Sequence, residues 1–297
     1  MTDAAGSAFE ALLKVLDAAS VGPDQPILRS PDDVVYVETQ LTFAMRKRGA
    51  ARYHLANVER LSAEMIEQAH RSAAAAAEGL PPHAKTRISA TMSQDAFAHE
   101  LSAFLVAIRS GLDFVATIAA RSTKGVTAHS IHDLEKMVGK GRTGPVLNIV
   151  KRHAAWLKAL RDYRDEIVHR LVMAAPPGGW VMSKDGKVAS AILPVVVPVA
   201  TPRRRADTRR ARMMEDEVPW GLTLSHRTAT VTYPDGTREV TEHEVIYAPG
   251  PGHVLIETFM DDQLKAYDAF LAEIMSVLAM LAFTQVSIAK EAEETGG

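Results

Sequence analysis

The sequence predicts a mainly α protein: a helical bundle with a small antiparallel β insertion before its last helix. Three observations lead there. Apolar residues recur at steps of three and four through 97–118 and 146–171. No proline falls between Asp32 and Glu78, where a run of helix-compatible residues ends in Gly79-Leu80-Pro81-Pro82. From Trp180 onward the texture becomes β-branched and alternating, punctuated by Lys184-Asp185-Gly186 and Pro234-Asp235-Gly236, each a hairpin signal.

Composition sets the outer bounds. The chain has 297 residues, 47% hydrophobic and 24% charged, which excludes collagen-like and wholly disordered readings. A chain of this length buries roughly 75% of its unfolded surface, so it needs no metal or disulfide staple. With no cysteine, a disulfide framework, a Cys-ligated zinc or iron–sulfur site and a Cys nucleophile are all ruled out. The first twenty residues lack the basic start and long apolar core of a signal peptide. Ile274–Ala289, the longest uncharged run considered, falls short of the ~20 apolar residues that span a bilayer. A cytoplasmic protein without a membrane partner is expected.

Taken in order, residues 1–30 form a short helix (Phe9, Leu12, Leu13, Leu16) and a loop broken by Gly22, Pro23 and Pro26. Ser30-Pro31-Asp32-Asp33 opens the second helix with a capping hydroxyl, a first-turn proline and acids at the positive end of the dipole. That helix runs about 45 residues, or breaks in two near Gly49. Ser93 opens the third, whose seam is Phe97, Leu101, Phe104, Leu105, Ile108, Leu112, Val115 and Ile118. Ser130 caps a short helix through Val138, ended by Gly139, Gly141 and Gly144-Pro145. A single helix then runs from Val146 to Val172, with Val146, Val150, His153, Leu157, Leu160, Arg164, Ile167 and Leu171 as its seam. Residues 176–257 read as a small antiparallel sheet holding an arginine-rich loop. The last helix, about 259–291, is apolar nearly all round and belongs in a core or a subunit interface. The segments are therefore 1–30, 31–175, 176–257 and 258–297.

Net charge is −2, so the whole molecule does not advertise an anionic partner. Its distribution is uneven. Arg203, Arg204, Arg205, Arg209, Arg210 and Arg212 face only Asp207 within ten residues, a local +5 on a remainder of −7. Such a block fits a nucleic-acid contact or a solvated linker.

Chemistry is most concentrated in Arg161-Asp162-Tyr163-Arg164-Asp165-Glu166-Ile167-Val168-His169-Arg170. Arg164 sits in an otherwise apolar seam, and a guanidinium there must be paired or line a cavity. Asp165 and His169, four residues apart, share a helix face, and a carboxylate there can orient the imidazole. The plain structural alternative is a face laced with ion pairs such as Arg161–Asp165 and Glu166–Arg170. Arg164 and His169 are five residues apart and so do not stack on one face.

Arg164-Asp165-x-x-x-His169 resembles the R-x4–6-H motif of the HEPN superfamily, in which a polar residue commonly follows the arginine. Glu100 to Arg109 and Asp113 is similar to the helix that pairs with the motif helix in that family. The resemblance covers about residues 90–172. Two other pairs have a matching spacing, Arg48/His54 and Arg238/His243, but only Arg164/His169 has the adjoining acid and the partner helix. The resemblance implies a compact helical bundle, usually dimeric, and in many members metal-independent RNA cleavage through the ribose 2′-hydroxyl. Other members bind nucleotides or RNA without cutting, or are structural. On that basis His169 is the acid or base, Arg164 holds the phosphate, Asp165 orients His169 or contacts the motif of a second subunit, and Arg161 and Arg170 steer the backbone; the basic block adds Arg203, Arg204 and Arg205 as further RNA contacts. No cofactor is implied, and a homodimer is expected.

Two other readings compete. The apolar last helix, the long second helix and the arginine loop suit a non-catalytic assembly module. Glu10, Glu67-x-x-His70, Glu100 and Glu166-x-x-His169 follow the order of di-iron carboxylate bundles. Gly139-Lys140-Gly141-Arg142-Thr143-Gly144 resembles a phosphate cradle but lacks the P-loop order, so it reads as an interhelical loop. His99, His129 and His132, with only Asp133 as a nearby acid, read as surface or capped residues.

Overall fold

In the computed structural model, residues 3–19, 21–24, 28–78, 85–89, 94–121, 127–170, 178–184, 187–200, 222–232 and 238–294 are described. Within these, the side chains of 73, 76–78, 85–89, 94, 166–170, 178–193, 222–247 and 281–294 lie outside the description. The fold is mainly helical with small antiparallel ladders. The helices are α1 (Ala4–Asp17), α2 (Pro31–Glu78), α3 (Gln94–Arg121), α4 (Ile131–Gly139), α5 (Pro145–Arg152), α6 (Ala154–Arg170) and α7 (Ile256–Glu294). The strands are β1 (Lys85–Ser89), β2 (Gly178–Lys184), β3 (Lys187–Leu193), β4 (Val196–Pro198), β5 (Leu222–Thr232), β6 (Arg238–Pro249) and β7 (His253–Leu255).

The chain groups into two compact units. The first comprises 1–53, 104–161 and 262–297, and the second 54–103 and 162–261. In the first, α1 buries Leu12 and Leu16, and Asp3 caps it by accepting the Gly6 N–H at 2.9 Å. The α2 start is built differently from the expected serine cap. Asp33 reaches back to the Arg29 and Ser30 N–H groups at 3.1 Å, and the Ser30 hydroxyl donates to the same carboxylate. This is the carboxylate half of a capping box. The helix then passes Gly49 without a break. From Phe104 onward the predicted α3 seam is buried here (Phe104, Leu105, Ile108, Leu112, Val115, Ile118), as are Tyr267, Phe270, Leu271, Ile274 and Met275 of α7.

Ser130 caps α4 as expected, accepting from the Asp133 N–H, and Asp113 adds an acceptor for the Ile131 N–H at 2.9 Å. The end of α4 explains its glycines. Gly141 has φ +75°, its N–H bonds the Val138 carbonyl, and the Arg142 N–H bonds the Met137 carbonyl. That is a Schellman motif with glycine in its left-handed position, so 139–144 is an interhelical loop.

One correction concerns the helix expected from Val146 to Val172. It is two helices, α5 and α6, divided at His153 (φ −92°, ψ 4°). The step is small, because His153 N–H still bonds Ile149 and the Leu157 N–H still bonds the His153 carbonyl. His153 is held off the ideal seam by Glu273 at 3.0 Å and by an edge-on contact with Phe270.

In the second unit, α2 buries Leu55, Val58, Met65 and Ala69, and α3 buries Phe97 and Leu101. The β region forms three ladders rather than one sheet: β1-β2-β3, β4-β7 and β5-β6. The strand β1 falls outside the expected 176–257 and pairs antiparallel with β2, Arg87 opposite Trp180. Its five residues are too few for periodicity to reveal, and a strand this short needs a partner to exist. Both predicted hairpins are present, closed by Lys184 opposite Lys187 and by Thr232 opposite Arg238. Gly250-Pro251-Gly252 makes the turn before β7, with Gly252 at φ +76°.

By length and composition, 95–121 in α3 is the one described helix able to cross a membrane. In that window 61% of residues are buried inside the protein, which a core helix also satisfies.

Candidate functional site

The polar stretch of α6 is anchored by its apolar neighbours. Leu157 and Leu160 are buried in the first unit; Tyr163 is buried in the second and stacks on Phe259 at 4.5 Å between ring centroids. Burial pushes the Tyr163 hydroxyl pKa up, and the buried hydroxyl has no hydrogen-bond partner among the described residues.

Arg164 follows at once. Its side chain is one-third exposed (33%), and Nη2 lies 3.0 Å from Asp165 Oδ1. Its Nε is buried and has no hydrogen-bond partner among the described residues. The guanidinium is thus tied at one end by an exposed acid and holds an unused donor at the other. A buried N–H with no acceptor carries a desolvation penalty of about 1–3 kcal/mol.

Arg161 is committed to packing contacts. Its Nη1 donates to Glu135 Oε2 at 2.7 Å and to His132 Nδ1 at 3.0 Å, joining α6 to α4. The sequence reading took Asp133 as the only acid near His132, whereas the acid that reaches it is Glu135, one turn further on. On α3, Arg109 pairs with Asp113 at 3.4 Å. His169 and Arg170 lie on the α6 backbone, but their side chains are outside the described residues, as are Arg203, Arg204 and Arg205 entirely.

The most organised polar cluster was not predicted. Arg48, 4% exposed, donates from Nε and Nη2 to the two oxygens of Asp268 (both 2.7 Å). Nη2 and Nη1 also donate to Asp3, at 2.6 and 3.2 Å. Burial works against its charge, but these bonds to Asp268 and Asp3 outweigh it and raise its pKa above the ordinary arginine value. Arg48 lowers the pKa of Asp3 in turn. Four of the five guanidinium N–H groups are used within the cluster, so it reads as a structural clasp joining α1, α2 and α7. No local spacing joins residues 3, 48 and 268, and the only clue in the sequence is an arginine at a core position of α2.

In the second unit, His54 Nδ1 lies 2.6 Å from Glu100, and Asn57 donates to the other Glu100 oxygen at 3.2 Å. Glu100 is thereby engaged away from a di-iron role. Among the described residues no group of three His, Asp or Glu side chains is placed to hold a metal ion.

Comparison with family models, with curated proteins and with solved structures gave no match.

Proposed function

We propose that the chain is a HEPN-like protein that binds or cleaves RNA at Arg164, Asp165 and His169 without a metal. One observation supports this reading above the rest: the Arg164 guanidinium is one-third exposed and, among the described residues, pairs only with Asp165 of its own helix, so its exposed N–H groups suit an anionic oxygen. In cleavage, His169 takes the proton of a ribose 2′-hydroxyl, whose oxygen attacks the adjacent phosphorus. The 5′-oxygen leaves and receives a proton, giving a cyclic phosphate and a 5′-hydroxyl end. Arg164 stabilises the charge that develops on phosphorus-bound oxygen. Asp165, 53% exposed and paired with Arg164, sets the guanidinium.

The test is cleavage of a mixed RNA pool in EDTA by the parent, His169→Ala and Arg164→Gln, with the cut ends analysed. Cutting by the parent alone supports the reading. Equal cutting by all three removes it.

A second reading, a non-catalytic assembly module, is favoured by α2. Val35 and Tyr53 are 62% and 64% exposed and stand five helical turns apart on one line of the helix. A homodimer through this line would dissociate in Tyr53→Lys, which light scattering after size-exclusion chromatography measures.

A further inference from the structure

Gly49 lies inside α2, where a glycine weakens a helix relative to alanine. Nothing among the described residues accounts for it. A Cβ at this position would meet no atom within 4 Å, and its φ is not in the left-handed region. Gly111 of α3 is the contrast, since a Cβ there would run into Tyr267. A glycine with open space above it suits a helix whose backbone is approached closely from outside.

Gly49 belongs to an exposed stripe of α2 within the first unit. At 3.6 residues per turn, Pro31, Val35, Thr42, Arg46, Gly49 and Tyr53 fall within about 60° of arc, and Glu38 borders them about 20° further round. Thr42 and Glu38 are half-buried and the other five are exposed. Glu38 makes no hydrogen bond or ion pair among the described residues, and Arg46 only approaches the Phe43 ring, at 5.9 Å from its centre. Neither has an opposite charge three or four residues away on the helix. The neighbouring charges are engaged off the stripe. Asp32 and Asp33 stand in the first turn, and Asp33 also pairs with Arg121. The Lys47 Cβ lies toward Gly111 of α3, and Arg52 pairs with Asp3 and Asp268.

We infer that this stripe is the contact face for a second copy of the chain, the two α2 helices packing antiparallel about a two-fold axis at Thr42. Two independent spacings give the register. Val35 and Gly49 lie seven residues to either side of Thr42, and Glu38 and Arg46 lie four to either side. In a two-fold contact residue i meets j and j meets i. Exposed Val35 of each copy therefore seats over the partner's Gly49, and Glu38 meets the partner's Arg46 across the seam. Pro31 and Tyr53, eleven residues out on either side, meet in the same way. A crossing angle of about 20° keeps the helices in contact over this length, roughly 33 Å. One acid and one cation suit neither a polyanion nor a bilayer, and they complement the same stripe turned end for end. The inference rests on the assembly reading above and not on RNA chemistry at Arg164.

Light scattering after size-exclusion chromatography of the full chain at tens of micromolar gives its mass, and sedimentation equilibrium its dissociation constant. The parent should be a dimer. Glu38→Arg and Arg46→Glu each place like charges together twice per dimer and should weaken association by about tenfold or more. Mixed in equal amounts, these two variants should form a heterodimer at near-parental affinity, because each reversed side chain then faces its complement. Gly49→Leu should abolish the dimer while circular dichroism shows the fold intact, since the added side chain meets only open space within one chain. A monomeric parent overturns the inference together with the assembly reading. A dimer that Tyr53→Lys dissociates, but that tolerates Gly49→Leu or either charge reversal, overturns the Thr42 register and leaves the assembly reading standing. Failure of the mixed variants to reassociate overturns that register as well.

Discussion

Gly111 sits in the middle of α3, where helix propensity alone favours alanine by about 1 kcal/mol. Gly111→Ala is nevertheless expected to destabilise the protein. A Cβ at position 111 would lie 1.9 Å from the Tyr267 hydroxyl oxygen, 3.0 Å from Tyr267 Cζ and 3.3 Å from Lys47 Cβ. The first contact cannot exist, and Tyr267 is fully buried, with no open side to swing toward. Overpacking of this kind costs typically 1–3 kcal/mol. With the propensity gain subtracted, a net loss of up to about 2 kcal/mol remains, or a Tm lower by up to roughly 4–8 °C.

The partner substitution makes the reasoning refutable. Tyr267→Phe removes a buried hydroxyl that has no hydrogen-bond partner, so it is expected to be neutral or mildly stabilising. In that background the nearest tyrosine-derived atom to the new Cβ is at 3.0 Å, tight but accessible by a small shift. The double variant should therefore recover at least about 1 kcal/mol relative to the sum of the single changes. Urea unfolding followed by circular dichroism measures all four corners of the cycle. Equal effects of Gly111→Ala with Tyr or Phe at 267 would refute the contact, and a stabilised Gly111→Ala would refute the packing of α3 against α7 at this level.

Arg48→Met is expected to cost about 3 kcal/mol, the low end for a broken buried pair, because half-exposed Asp3 recovers water. Arg48→Lys should lose much of the same stability, since one ammonium cannot serve two carboxylates bidentately; a Tm unchanged in both variants would contradict the clasp. Acid should destabilise the fold in a defined window. Asp3, Asp133 and Glu273 have pKa values lowered chiefly by hydrogen bonds from Arg48, Ser130 and Arg152 respectively. Their contribution is complete above the ordinary values of 3.8 and 4.5 and is lost as pH falls through the depressed folded values. A urea midpoint that holds from pH 7 to 5, drops below about 4, and drops less in Asp3→Asn would bear this out. Tyr163→Phe should leave the urea midpoint unchanged or raised, since it keeps the Phe259 stack and deletes an unpartnered hydroxyl; a clear loss would reveal a partner for that hydroxyl.

What was legible in the sequence was whatever chemistry is local. The α3 seam from Phe97 to Ile118 is buried residue for residue because a 3.6 period is written into adjacent turns. Ser130 and Gly141 were readable for the same reason, since caps involve residues three to five apart. The break at His153 was not, because it depends on Glu273 and Phe270, more than a hundred residues away. The Asp3–Arg48–Asp268 clasp and the tie from Arg161 to Glu135 were hidden likewise. Arg161 shows the consequence for site prediction: counted along the helix it belongs with Arg164, yet its guanidinium serves α4.

Two arginines on one helix differ in what they fasten. Arg161 donates to a carboxylate and a histidine ring of α4, so replacing it disturbs packing first. Arg164 pairs with Asp165 on its own helix, a contact that fastens no other element, and keeps a buried Nε without an acceptor among the described residues. A side chain kept only for the fold would be expected to satisfy that nitrogen or to be replaced by an apolar residue of similar length, since an unpaired buried donor costs stability. Arg164→Met should therefore preserve or raise Tm while removing the proposed RNA cleavage, whereas Arg161→Met should lower Tm. If both variants lost stability equally, with RNA cleavage surviving in Arg164→Met, Arg164 would be as structural as its neighbour.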